Sequence, residues 1–268
     1  MRFHLRTLLI LLALSPPAWN HCVAEDDRAL HQQEVDPGQW GDLELRFVFD
    51  GDPPKPKAIA GAPVAVDESL LVNSKDRGIA NVAVWLRHDA GSSELPVHPR
   101  YRKTAAQDVA VGIVGDALVP RVAMVRTTQK ITFINADPHG HNIRADAFDN
   151  ASLNHLLPAG ESTQVQFRKP EPLPMLLNDA IQPWLRGYIH VSEHPYHAVS
   201  NAKGELLIPN LPKGEWTFIV WHERAGYVKE AQVGGNPVKW ERGRWHLDIQ
   251  SGRNNPGEIK LAPGIFNK

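Results

Sequence analysis

Short β-type runs closed off by turn residues dominate this chain, and no segment sustains the apolar period of an amphipathic helix. Residues 43–49 alternate apolar and polar for most of their length, as a half-buried strand does, and Asp50-Gly51-Asp52-Pro53-Pro54 ends them with turn chemistry. Further strands are expected at 70–72 and 80–86. A close series follows at 109–114, 121–126, 130–134, 162–167 and 187–191, its early members separated by Gly115-Asp116, Pro120 and Thr127-Thr128. A third group is expected at 205–208 and 215–221, with 228–233 as the partner of 215–221. Residues 201–204 and 209–214 read as turns. The 22 Pro and 20 Gly suit this many turns. The pattern predicts an all-β chain of sandwiches or barrels, long enough for one large core or two small ones.

The N-terminus places Arg2 and Arg6 before an apolar run from Leu8 to Leu14, broken by Pro16-Pro17 and followed by Cys22-Val23-Ala24. This is the layout of a secretory signal over residues 1–24, too short to span a bilayer stably. Residues 25–39 are polar and aperiodic and are expected to form a disordered lead-in. No later segment reaches eighteen apolar residues, so the mature protein is expected to be periplasmic or secreted, with no membrane span. Removing the signal takes two of the 29 basic residues and leaves 27 against 30 acidic ones, which gives no footprint for nucleic acid. It also removes the one cysteine, Cys22.

Two segments carry candidate chemistry. Phe133-Ile134-Asn135-Ala136-Asp137-Pro138-His139-Gly140-His141-Asn142 reads as a strand running into a histidine-bearing loop. About forty residues on, residues 179–188 form a second loop, Asp-Ala-Ile-Gln-Pro-Trp-Leu-Arg-Gly-Tyr, with no Cys, His or Met. Residues 133–142, 182–188, 191–199 and 204–227 resemble a family of exported bacterial proteins. That family combines a cupredoxin-like Greek-key β-sandwich with a carboxypeptidase-regulatory-like (transthyretin-like) β-sandwich.

The resemblance implies a discontinuous transthyretin-like sandwich at 40–100 plus 194–268, with the cupredoxin-like part at 101–193 inserted in it. In the family the second loop looks like Cys-x-x-His-Pro-Trp-Met before Gly-Tyr. Pro183-Trp184 and Gly187-Tyr188 keep that frame, but the Cys place falls on Asp179, the His place on Gln182 and the Met place on Leu185. Of the four expected copper ligands only His141 remains. Blue copper chemistry needs a soft thiolate, so no cofactor is expected.

The residues leave other readings open. His139, His141, Asp179 and Gln182 offer N and O donors to Cu(II) or Zn(II), against a simpler role in which His141 bonds its loop in place and His139 is solvated. His190, His194 and His197 form a second cluster, read as turn residues rather than a metal site. Trp184 is a candidate surface for a carbohydrate ligand, or a filler of the vacated ligand space.

Trp221-His222-Glu223 starts like a zinc-protease helix, but the second histidine place is Gly226. There is no Gly-x-Ser-x-Gly elbow and no phosphate-cradling loop. The sequence thus predicts a non-enzymatic binding or scaffolding protein. Its partner would be an envelope protein or a polysaccharide.

Overall fold

The computed structural model describes residues 36–55, 57–59, 67–89 and 94–267. The expected signal and most of the expected lead-in lie outside these residues. Residues 36–39, expected to belong to the disordered lead-in, are structured. Pro37–Gln39 is a 3-10 turn capped by the Asp36 carboxylate, which accepts from Gly38 N at 2.8 Å.

The described chain is all-β. It opens with β1 (Trp40–Phe49) and β2 (Ala83–Leu86). Nine strands follow: β3 (Val109–Val114), β4 (Ala117–Val119), β5 (Val122–Arg126), β6 (Ile131–Asn135), β7 (His141–Ala145), β8 (Leu153–Leu157), β9 (Ser162–Val165), β10 (Met175–Asp179) and β11 (Arg186–Ser192). The last nine are β12 (His197–Val199), β13 (Glu205–Pro212), β14 (Gly214–His222), β15 (Gly226–Tyr227), β16 (Glu230–Val233), β17 (Asn236–Lys239), β18 (Arg244–Ile249), β19 (Gly252–Asn254) and β20 (Glu258–Leu261).

Strands β3 to β11 pair only with one another among the described residues. They form two sheets, in the orders β4-β3-β6-β9 and β5-β11-β10-β7-β8. Val111, Ile113, Phe133, Ile143, Leu177, Ile189 and Val191 share the core between those sheets. The strands before and after form a second pair of sheets. One has the order β13-β1-β20-β16-β17 with β19 also on β1; the other has β12-β2-β14-β15 with β18 also on β14. Their common core includes Phe47, Val84, Leu86, Phe218, Val220, Trp240 and Trp245.

The all-apolar runs in β2 and β14 show how the two sandwiches join. Val84, Leu86, Phe218 and Val220 face their own core. The alternate residues Ala83, Trp85, Ile219 and Trp221 bury against Val122, with Met124 and Tyr188 packed alongside. A strand covered on both faces loses its polar alternation. β1, with one face less covered, keeps the alternation that the sequence displays.

Three expectations fail locally. Residues 70–72 make only the isolated bridge Val72–Ile79. The expected turn after residue 208 is strand instead: β13 runs on to Pro212 through an irregularity in its pairing with β1. There Asn210 adopts φ 54° and its N–H donates to Asp42 Oδ1 at 2.8 Å. A bulge of this kind lets a proline sit in a paired strand. Residues 230–233 do not partner β14, whose long edges are taken by β2 and β18. They cross to the opposite sheet and pair with β17 and β20.

Candidate functional site

Both segments singled out in the sequence meet at one end of the inserted sandwich. β6 ends at Asn135, a short loop carries Asp137 and His139, and His141 opens β7. The histidine expected in a loop is therefore a strand residue. β10 runs antiparallel to β7 and ends at Asp179, with Asp179 paired to Ile143. Loop 180–185 then leads into β11.

His141 lies wholly buried between two carboxylates. Its Nδ1 is 2.6 Å from Asp179 Oδ2 and its Nε2 is 3.2 Å from Asp137 Oδ2. The side chains of His141 and Asp179 are 0% exposed and that of Asp137 is 6% exposed. Each carboxylate is also anchored by backbone. Asp179 Oδ1 accepts from Asn142 N and Ile181 N, and Asp137 accepts from Gly115 N at 2.6 Å and Asp116 N at 3.0 Å. Burial alone would push the Asp137 carboxyl up. The N–H groups of Asp116 and Gly115 and the bond from His141 outweigh it and hold the carboxyl below its ordinary value. Asn135 completes the support by donating to the carbonyls of His139, Leu157 and Pro158.

His139 sits at the rim, with its side chain 43% exposed. Its ring centroid is 4.8 Å from that of His141. Its Nε2 faces an acceptor, Asp116 Oδ1 at 3.0 Å, and a donor, Gln182 Nε2 at 2.7 Å. Gln182 Oε1 is buried without a hydrogen-bond partner among the described residues. Asp116 is held in the left-handed region at φ 61°. One donor atom from each of Asp116, Asp137, His139 and His141 lies within 4.8 Å of the others.

Of the predicted residues, His141, Asp179, His139 and Gln182 thus come together. Leu185 turns away into the core, 1% exposed. Trp184 is half-buried, and its indole Nε1 has no hydrogen-bond partner among the described residues. Gly187 explains part of the retained frame, because a Cβ there would stand 2.7 Å from Arg121 O and 3.0 Å from Leu118 Cδ1. Tyr188 packs edge-on against Trp221, its ring centroid 4.9 Å away.

Asp116 and Asp137 escaped the sequence reading. Asp137 stands four residues before His141, but Asp116 reaches the group only through the β3–β4 turn.

In the second histidine cluster His190 and His194 are buried and His197 is half-buried. Burial, with the neighbouring His194, pushes His190 down to about 3, and burial likewise takes His194 down to about 4. His222, enclosed and close to Arg121, is lowered to about 3. Each has a folded value below that of the unfolded chain, so the unfolded state binds more protons in the interval. Stability from these groups is complete above about pH 6.5 and is lost as pH falls toward 3, at about 1 kcal/mol per pH unit for each imidazole. The urea midpoint should therefore drop steadily from pH 7 to pH 4. A flat profile would contradict the burial of these rings.

No protein-family model matches the chain, and no curated protein does. Solved structures similar to part of it include cupredoxins and a copper-containing nitrite reductase. An oxidised proline-to-alanine variant of amicyanin is 18% identical, covering 33% of this chain and 84% of its own, with a TM-score of 0.29. The purple cupredoxin of Nitrosopumilus maritimus is 20% identical, covering 32% of this chain and 100% of its own, at 0.28. The copper-containing nitrite reductase of Thermus scotoductus SA-01 is 22% identical, covering 40% of this chain and only 25% of its own, at 0.30.

Proposed function

We propose that this is an exported, non-enzymatic binding or scaffolding protein, with a cupredoxin-like sandwich inserted in a transthyretin-like one, in which a hydrogen-bonded imidazole has replaced the copper centre. The observation that carries this reading is the enclosure of His141, with both ring nitrogens facing carboxylates. A metal approaching either nitrogen competes with a buried carboxylate that already occupies that place.

The donor set agrees. A type-1 copper site needs a thiolate with two imidazoles, and the sequence's one cysteine, Cys22, belongs to the expected signal. Asp179 at the Cys place is pinned by two backbone N–H groups as well as His141. The expected setting is the periplasm or the medium, with an envelope protein or a polysaccharide as partner. Among the described residues no helix is long and apolar enough to cross a membrane.

A second reading is a hard N/O site for Cu(II) or Zn(II). It is favoured by the four donors of Asp116, Asp137, His139 and His141 and by the mismatched contacts of His139 Nε2. Adding either ion to the purified protein separates the two. A ligand at 100 times its dissociation constant that binds only the folded state raises stability by about 2.7 kcal/mol. The first reading predicts no colour and no rise in melting temperature. A rise that disappears in His139→Ala, a substitution at a partly exposed side chain, would establish the second reading instead.

A further inference from the structure

The chain passes between the two sandwiches twice, after β2 and after β11. Beside their apolar contact, where Trp85 and Ile219 meet Val122, lies a cleft of about 650 Å³ lined from both sides. Three histidines stand along this joint, and each is built as a neutral ring.

His190 on β11 is 3% exposed and lies against the Trp85 ring of β2, the centroids 4.2 Å apart. Its Nδ1 is buried without a hydrogen-bond partner among the described residues. A charged imidazole donates from both nitrogens, so a proton there finds no acceptor. His194, in the connection from β11 to β12, accepts from Tyr196 N through Nδ1 at 3.2 Å and also bonds the Leu86 backbone of β2. His222, at the end of β14, accepts from Arg224 N through Nδ1 at 3.2 Å, and its buried Nε2 has no partner among the described residues. Protonation turns each accepting Nδ1 into a donor that faces another N–H.

The surrounding charges do not offset this conflict. His222 faces Arg121, across the joint, and Arg224. The adjacent Glu223 already grips Arg121, and Glu68 approaches the same guanidinium. His194 faces His88 and His190, while His197 beside them faces Arg126. Of the carboxylates lining the cleft, Glu171 is bonded to the backbone of Phe148, Asp149 and Asn150, and Asp89 to Arg87. Asp149 and Glu193 are exposed, and among the described residues neither is bonded to these rings. Arg242 and Arg244 on the host wall add positive charge.

The two cores lie on the other faces of the same sheets, with Val84, Leu86, Phe218 and Val220 in one and Ile189 and Val191 in the other. We propose that the joint is an acid-released switch, in which protonation of His190, His194 and His222 parts the two sandwiches while each keeps its own core. Parting them uncovers the apolar face of Trp85, Ile219 and Trp221 on the host sheet.

The direction follows from linkage. Burial holds the three rings below the ordinary histidine value in the closed form, and contact with water restores that value in the open form. The open form binds more protons, so the closed form is favoured near neutrality and loses ground as pH falls below about 6.5. The switch does not depend on whether the His141 site takes a metal.

Small-angle X-ray scattering and far-UV circular dichroism of the full chain, taken between about pH 7 and about pH 4, provide the test. The radius of gyration should rise reversibly, ahead of any loss of strand signal, with uptake of about three protons. His194→Asn and His222→Asn keep an oxygen acceptor without the titrating ring, and His190→Phe keeps a ring against Trp85. Proton uptake should fall by about one for each substitution, and the variant carrying all three should stay closed down to about pH 4. His139→Ala, at an exposed side chain, should open as the parent does. Thermal melting near neutrality shows whether the triple variant folds. If it does not, His194→Asn alone carries the test, with opening moved to lower pH and about one proton fewer. A radius unchanged down to about pH 4, a rise that comes only with loss of strand signal, or an opening unmoved by the substitutions would overturn the inference.

Discussion

Replacing Asp179 by Ala should destabilise the fold by about 3–5 kcal/mol, because it leaves buried donors without an acceptor at about 1–3 kcal/mol each. Three donors lose their acceptor together: His141 Nδ1 and the backbone N–H groups of Asn142 and Ile181. Neither side chain of the pair reaches solvent, so water cannot take over without opening the β7–β10 pairing. Asp179→Asn keeps one carbonyl acceptor and should cost less. Urea denaturation at pH 7 measures both. A loss below about 1 kcal/mol in Asp179→Ala, the range of an exposed pair, would mean that the site is not closed as described.

The second large effect lies where the two sandwiches meet. Arg121, just before β5, grips the carboxylate of Glu223, just after β14, with both Nε and Nη2, the latter at 2.9 Å. Their side chains are 12% and 4% exposed. Glu68 approaches the same guanidinium at 3.5 Å. Glu223→Ala should cost about 3 kcal/mol, because it leaves a largely buried guanidinium with only the more distant Glu68. Replacing both partners, as Arg121→Met with Glu223→Leu, should recover much of that loss, since burying an ion pair is itself expensive. If the double variant is no better than Glu223→Ala alone, the pair contributes more than the removal of an orphaned charge can explain.

Strand patterning was legible where burial is simple. β1 alternates in sequence because one of its faces is more covered, and β14 stands out because Phe218, Val220, Ile219 and Trp221 are buried on both faces. The strands carrying the site were not legible. β7 (His141–Ala145) and β10 (Met175–Asp179) bury His141 and Asp179, so polar residues occupy inward positions and mask the apolar rhythm. Residues 228–233 looked like a partner for β14 because proximity in sequence favours a hairpin. The competition was decided by β18, which pairs with β14 along most of its length. The resemblance placed His141 and Asp179 at neighbouring positions, and the structure brings them within hydrogen-bond distance. Nothing local foretold that Asp137 and Asp116 would close the other side. That contact depends on how the β3–β4 turn meets the loop before β7.

The most direct test of the account is the metal content and visible spectrum of the protein isolated from its own host. A site in which an imidazole bonded to two carboxylates replaces copper predicts far less than one copper per chain and no intense blue band. Near-equimolar, tightly held copper with a strong blue absorption would contradict it.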